Sequence, residues 1–408
     1  MELPKQGIAK DELLAEMKAR KAQDADWRAG KTWSLIYPAG EEVDALLMEA
    51  NQLYLYENAL NPFRFPSLRQ MEVDVVEMTA GLLHAPEGFG GCMTSGGTES
   101  IIMAVKAARN RARIERGVTN PTLVAPISAH PAFGKAAEYL GLELVQVPLD
   151  GDYRADLKAA EAAIDERTAL VMGSAPNYPF GVVDPIPELA AMAHERGISF
   201  HTDSCLGSFL LPFLERLGEP VPPFDFRVPG VTTMSADVHK YGYCTKGAST
   251  VIHRDDAHLK KYQLFVYDQW PGGLYASFAM AGARPAAPIA AAWAVMRFLG
   301  EEGYLKLARR VRDTYKRLRE GIAAIPGLVI WGEPVMSVMS FGSESHDIMA
   351  IGDVMDDHGW HLDRQHGPDA LHFMVSPEHA EIADAFLADL REAVAKHGES
   401  RGKDARYS

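Results

Sequence analysis

The stretch TALVMGSAPNYPFGVVDPIPELAAMAHERGISFHTDSC, residues 168–205, decides the fold. Two short apolar runs, 168–175 and 198–205, flank a helix-patterned segment at 185–196. Apolar runs without alternation mark strands buried on both faces, and a helical crossover between two such strands makes them parallel neighbours. The second run ends on His201-Thr202-Asp203, an ionisable group at the end of an apolar strand. A carboxylate there is costly unless it meets a cation or a donor. Open parallel sheets bind ligands at the carboxyl ends of their strands, so Asp203 marks a candidate site as well as a strand end.

Working outward, the same alternation continues on both sides. Strand-like runs occur at 122–128, 142–149, 231–236 and 249–254, and helical stretches at 133–140 and 155–165. Upstream, a helical pattern at 71–84 leads to a Gly-rich turn at 95–97 and a further helix at 99–116. This predicts an α/β fold with a large, mostly parallel sheet over 58–285. After Pro285 the pattern changes to a long helix (287–322), two strand-like stretches (327–334 and 335–342) and a final helix (379–397). Residues 286–408 are therefore expected to form a smaller C-terminal α+β domain, with 398–408 as a frayed tail. Helices at 11–28 and 42–56 are expected to form an N-terminal arm (1–57) or a dimer contact.

Composition excludes several classes. The chain has 408 residues, 47% hydrophobic and 24% charged, which is ordinary globular usage. Its net charge of -14 disfavours sequence-independent binding to nucleic acid. Three cysteines without a CxxC pair form neither a disulfide framework nor a zinc motif, and the 14 histidines show no metal-ligand spacing. The N-terminus has no apolar signal segment and no apolar run approaches the ~20 residues of a membrane span. The expectation is a cytoplasmic enzyme with no metal and no integral membrane segment.

Four motifs carry chemistry. Thr94-Ser95-Gly96-Gly97-Thr98-Glu99-Ser100 opens a helix. Glycines admit an anion to the helix N-terminus, with Gly97 and Thr98 at its start; read alone, it is also a Ser/Thr-capped turn. His130, in SAHPAF after a strand, can stack on a planar ring or serve as a structural histidine. Asp203 can pair with a protonated heteroaromatic nitrogen or cap a loop. Lys240, after the 231–236 strand, can be a Schiff-base lysine, whereas a lysine alone is more often a surface group. Together and in this order, within one α/β unit, the four suit pyridoxal 5'-phosphate.

The motifs TSGGTES, SAHPAFGKAA, HTDSCLGSF, SADVHKYGYCTKGAS, GGLYASFAMAGARP (272–285) and GEEGYL (300–305) resemble the sphingosine-1-phosphate lyase family. This family lies in the group II decarboxylase branch of fold-type I pyridoxal-phosphate enzymes, and the resemblance runs from about residue 58 to 395. It implies Lys240 as the Schiff-base lysine, Asp203 as partner of the ring nitrogen, and His130 as the stacking group. It further implies Gly97 and Thr98 at the phosphate, and Lys246 as a second active-site lysine. His239, Tyr241 and Arg284 fall in matched motifs, His239 beside the cofactor and Tyr241 and Arg284 toward substrate. The 273–277 loop matches one that a neighbouring subunit often supplies, which implies a homodimer with shared active sites and Ser277 reaching the partner's cofactor phosphate. In the substrate pocket the chain departs from the family: Asn61 stands in place of a phosphate-binding histidine, with Arg64 three residues on, and Phe180 replaces another histidine.

The implied activity is retro-aldol cleavage of the C2–C3 bond of sphingosine 1-phosphate or a related phosphorylated 2-amino-3-hydroxy compound. An amino-acid decarboxylase on the same scaffold is the alternative, with Arg64 or Arg284 as carboxylate anchor. A non-enzymatic homologue would be expected to have lost Lys240, Asp203, His130 or Gly97-Thr98, and all are present.

Overall fold

The computed structural model describes residues 2–402; of the tail expected to fray, 403–408 lie outside the described residues. Three helices come first: α1 (Lys10–Lys21), α2 (Glu41–Leu53) and α3 (Pro66–Leu82). Then strands and helices alternate: β1 (Gly90–Thr94), α4 (Gly97–Arg116), β2 (Thr122–Pro126), α5 (Ala132–Leu140), β3 (Glu143–Val147), α6 (Leu157–Ala163) and β4 (Thr168–Ser174). The series continues through α7 (Ile186–Glu195), β5 (Ser199–Asp203), α8 (Leu211–Arg216), β6 (Thr233–Ala236) and β7 (Ser249–His253).

These strands make one sheet in the order β1-β7-β6-β5-β4-β2-β3. β7 is antiparallel to both its neighbours, and the other pairings are parallel. β2, β4, β5, β6 and β7 are buried at every residue, as continuous apolar runs require. Because β7 alone runs backwards, the carboxyl ends of β1, β2, β4, β5 and β6 share one edge of the sheet. The loops that follow those ends carry the candidate site.

A short turn, α9 (Asp256–His258), runs into a π-helical turn (Leu259–Gln263) and a hairpin of β8 (Phe265–Tyr267) and β9 (Tyr275–Ser277). The long helix α10 (Ala287–Ala323) breaks at Gly300, where φ is +53°, a conformation that favours glycine. It leads to an antiparallel sheet ordered β10-β11-β13-β12, from β10 (Leu328–Ile330), β11 (Val338–Ser343), β12 (Asp363–Gln365) and β13 (Ala370–Met374). Helices α11 (Ile348–Asp357) and α12 (Ala383–Lys396) accompany this sheet.

Two details differ from the sequence reading. β1 was not among the expected strands. Its GGC start has no bulky β-former, yet a Cβ on Gly91 would sit 2.9 Å from Ile252 and from Val76, so the packing itself requires glycine there. The N-terminal region is also not all an arm. α1 is shorter than 11–28 and buries nothing, but Trp33 is 1% exposed and stacks on His379 at 4.0 Å within the C-terminal unit. The Met374 N–H donates to the Trp33 carbonyl at 2.7 Å, and Thr32 bridges to His361.

Candidate active site

A cavity of about 320 Å³ opens at the carboxyl edge of the large sheet. It gathers Gly97 and Thr98 after β1, His130 after β2, Asp203 at the end of β5, and His239 and Lys240 after β6. Residues up to 143 positions apart thus meet because parallel strands deliver their ends to one place.

Gly97 is the first residue of α4, whose N-terminus carries no side-chain cap. Its free N–H groups and the helix dipole make an anion cup. A Cβ on Gly97 would lie 2.8 Å from Asp237 Oδ2 and from Cys205 Sγ, so close approach of the cavity wall fixes glycine here. The neighbouring hydroxyls divide: Ser100 is engaged by Thr94 at 2.6 Å and by Ser249 at 2.8 Å, leaving Thr98 to line the cavity. Glu99 accepts from the Ser95 N–H and hydroxyl (2.8 and 2.6 Å) and from the Met280 N–H (2.8 Å). It therefore ties the cup to the loop after β9.

His130 Nδ1 accepts from the Ala132 N–H at 3.1 Å, so a neutral ring carries its proton on Nε2. Burial lowers its pKa despite the attraction of Asp203, which keeps the ring neutral and able to lie against a flat, charged group. Asp203 is 7% exposed, and its Oδ1 accepts from the Cys205 N–H (3.1 Å) and the Ser235 hydroxyl (3.0 Å).

Lys240 has a partner that the sequence reading passed over. Asp237, 1% exposed, places Oδ2 3.1 Å from Lys240 Nζ and 3.7 Å from His239 Nε2. Burial alone would pull the Lys240 pKa down, but the charge of Asp237 outweighs it and raises the value. For Asp237 the balance is reciprocal: burial raises its pKa, and Lys240 and His239 bring it below the usual carboxylate range. Asp237 stands three residues before Lys240, and no pattern in the chain says that it faces the amine.

Lys246 is exposed and does not line the cavity, but it is bonded to a residue that does. Its Nζ donates to the His239 carbonyl at 3.2 Å and lies 4.7 Å from the ring of Tyr37. Desolvation, then repulsion from Lys240, lowers its pKa to about 8. Tyr178, also missed, lines the cavity after β4 and donates its hydroxyl to Asp363 of β12 at 2.6 Å, joining the two sheets at the site. The PNYPF run was read only for Phe180. That residue is 5% exposed, stacks on Tyr153 at 4.4 Å, and borders an adjoining apolar recess of about 330 Å³ that shares His130 and Tyr178 with the cavity.

The other expected residues are not brought to the cavity within this chain. Tyr241 is fully buried and donates its hydroxyl to the Val375 carbonyl at 2.9 Å, a strut between the two sheets. Arg284 forks onto Glu72 (2.6 and 2.9 Å) and reaches the Ala59 carbonyl, so its charge is already paired. Asn61 uses its Oδ1 to accept from the N–H groups of Phe63 and Arg64 in its own turn, and Arg64 is exposed. Asn61, Ser277 and Arg284 line a separate groove of about 600 Å³.

The cavity suits pyridoxal 5'-phosphate on its own terms. An uncapped helix end faces a carboxylate, a neutral imidazole and an amine. Two buried polar atoms at its wall, Asp237 Oδ1 and His239 Nδ1, have no hydrogen-bond partner among the described residues. Buried polar atoms are seldom left so, which points to a polar group that completes the site.

The comparisons agree with this class of site. Residues 25–343 match the family model described as the pyridoxal-dependent decarboxylase conserved domain. The sphingosine-1-phosphate lyase of Arabidopsis thaliana is 43% identical over 96% of this chain and 73% of its own length; that of Rattus norvegicus is 42% identical over 96% and 69%. The solved structure of the Burkholderia pseudomallei K96243 sphingosine-1-phosphate lyase superposes with a TM-score of 0.94, at 39% identity, over 97% of this chain and 92% of that one. Fold and site together define a fold-type I, pyridoxal-phosphate-dependent lyase. Within that class, the chain belongs to the sphingosine-1-phosphate lyase family.

Proposed function

We propose that this enzyme cleaves the C2–C3 bond of sphingosine 1-phosphate, or of a closely related phosphorylated 2-amino-3-hydroxy compound, to a long-chain aldehyde and phosphoethanolamine. The observation that carries this reading is the convergence of Gly97, Thr98, His130, Asp203 and Lys240 on one cavity, with a second amine, Lys246, bonded to the carbonyl of His239 in its wall. Gly97 N–H, Thr98 and the α4 N-terminus hold the cofactor phosphate, Lys240 anchors it through its amine, and His130 lies against its ring. Asp203 holds the proton on the ring nitrogen. Bound there, pyridoxal phosphate supplies a sink for the electron pair left when C2–C3 breaks. Lys246, depressed to about 8, takes the proton from the 3-hydroxyl oxygen, so that C3 leaves as the aldehyde carbon. A returned proton at C2 completes the amine product. The apolar recess beside His130 and Tyr178 fits the first part of an alkyl chain. Decarboxylation is the activity of related families; of its two expected carboxylate anchors, Arg284 is already paired with Glu72, which leaves only the exposed Arg64.

The functional unit in this reading is a homodimer. Helix α1 buries no residue in the single chain, and the β8–β9 hairpin exposes Phe265, Val266 and Tyr267. Ser277, in the separate groove, then serves the partner's cavity, and Asn61 and Arg64 contribute to a substrate pocket closed by two chains. All three cysteines are unpaired and buried, which supports work in the reducing cytoplasm; among the described residues no helix is long and apolar enough to cross a membrane. Product analysis of the cofactor-loaded protein mixed with sphingosine 1-phosphate tests the reaction. Long-chain aldehyde with phosphoethanolamine is the expected result; intact substrate, with carbon dioxide released from an amino acid, would overturn it.

A further inference from the structure

Behind the cavity wall, four side chains are linked in series on one face of the large sheet. His201 and Asp203 are two residues apart on β5, and Thr233 and Ser235 two apart on β6, so each pair projects to one face. The parallel register sets His201 beside Thr233 and Asp203 beside Ser235. Thr233 Oγ1 lies 2.9 Å from His201 Nδ1, and Ser235 Oγ lies 3.2 Å from His201 Nε2 and 3.0 Å from Asp203 Oδ1. His201, Thr233 and Ser235 are all at most 2% exposed.

The carboxylate sets the direction of every bond in this chain. An ionised carboxylate only accepts, so the Ser235 hydroxyl donates to Asp203 Oδ1. The Ser235 oxygen then accepts from His201, which requires the proton on Nε2. Nδ1 is left to accept from the Thr233 hydroxyl. Burial lowers the imidazole pKa to about 4, against the attraction of Asp203, so the ring stays a neutral donor. Hydrogen bonds in series polarise one another, and those that end on a charge are the strongest. With the Cys205 N–H also on Oδ1, two donors hold one oxygen of a carboxylate that lines the cavity.

We propose that His201 is a positioning residue that, through Ser235, orients Asp203 and holds its charge toward the cofactor's ring nitrogen. This rests on the role assigned to Asp203 above. Burial alone would call for partners on both nitrogens; what sets His201 apart is that one of them, Ser235, is itself bonded to Asp203 at the cavity wall.

The test uses the holoenzyme carrying pyridoxal phosphate labelled with ¹⁵N in the ring. The native protein is expected to keep its ring nitrogen protonated across neutral pH. His201→Leu and Ser235→Ala are expected to fold and bind cofactor, but to lose the ring proton at a pH at least about one unit lower. Their kcat is expected to fall about 10–100-fold, the usual size of such indirect effects, with KM within about twofold. His201→Gln, whose amide can donate to Ser235, is expected to recover most of both. Should His201→Leu fail to fold, Ser235→Ala carries the test alone. Folded variants with a native ¹⁵N titration and native kcat would overturn the proposal. A native protein whose ring nitrogen is unprotonated, or unaffected by Asp203→Ala, would instead overturn the role of Asp203.

Discussion

Lys240, the proposed cofactor anchor, stands as half of an ion pair with the buried Asp237, not as a free amine. Asp237 at 3.1 Å stabilises its ammonium form, so the pair must be broken or its proton passed on before the amine can bond to carbon. Lys240→Ala is expected to remove both turnover and the visible absorbance of bound cofactor; a retained band would transfer the anchor to Lys246. Lys246 behaves in the opposite way, because desolvation and the nearby Lys240 favour its neutral form. A base with a pKa near 8 gives a kcat that rises with pH through about 8 and levels above it. Lys246→Met is expected to cost about 10²–10⁴-fold in kcat and to erase that limb; an unchanged limb would assign it to another group. Gly97→Ala drives a methyl to 2.8 Å from Asp237 and Cys205, and weakened cofactor affinity, measured by equilibrium titration, is the expected outcome. His130, Asp203 and Lys240 were legible in the sequence because each ends or follows an apolar strand, and strand ends have a fixed place in a parallel sheet. Asp237, Glu99 and Tyr178 were not, since their importance lies in contacts made only after folding. Arg284 stands out in the sequence as part of a motif, and only the fold shows Glu72 against it.

At the scale of elements, the legible parts are those with a strong period or a continuous apolar run, and the illegible ones are set by close packing or by distant partners. β1 escaped notice because Gly90 and Gly91 look like a turn, although β7 and α3 press on Gly91, and Asp256 and Leu259 on Gly90, so closely that nothing larger fits. The break in α10 follows from Gly300, whose backbone leaves helical angles while the helix resumes beyond it. The segment around Trp33 reads as part of a loose arm because its neighbours lie more than 300 residues away in the chain. It is in fact an aromatic plug: Trp33 packs against His379, Phe373 and Phe386. The same plug leads to Tyr37, the ring beneath Lys246, so the N-terminal segment links the C-terminal core to Lys246. Trp33→Ala is expected to destabilise the chain by about 3–5 kcal/mol, the cost of emptying a large aromatic site. Urea unfolding checks this, and a loss below ~1 kcal/mol would mean that the segment is not docked in solution.

At the scale of the whole molecule, the residues expected around cofactor and substrate are divided between two hollows of the chain. The cavity holds Lys240, Asp203 and His130, while Ser277 and Asn61 line a different groove. If two chains complete each other's sites, then two inactive variants with lesions on opposite sides of the boundary must rescue one another. Lys240→Ala removes the anchor but leaves a sound Ser277 to lend. Ser277→Asp places a negative charge where the cofactor phosphate is expected, yet leaves its own Lys240 sound. In a mixed dimer, one site then combines the good Lys240 with the good Ser277, and the other carries both lesions. Random exchange makes half the dimers mixed, with one working site of two in each, so unfolding and refolding an equimolar mixture is expected to restore about a quarter of native turnover. The result does not depend on how strongly each lesion acts, provided each alone is nearly dead. Mixed dimers that form without regaining activity would place Ser277 and Lys240 in the service of the same chain, and the shared site would have to be abandoned.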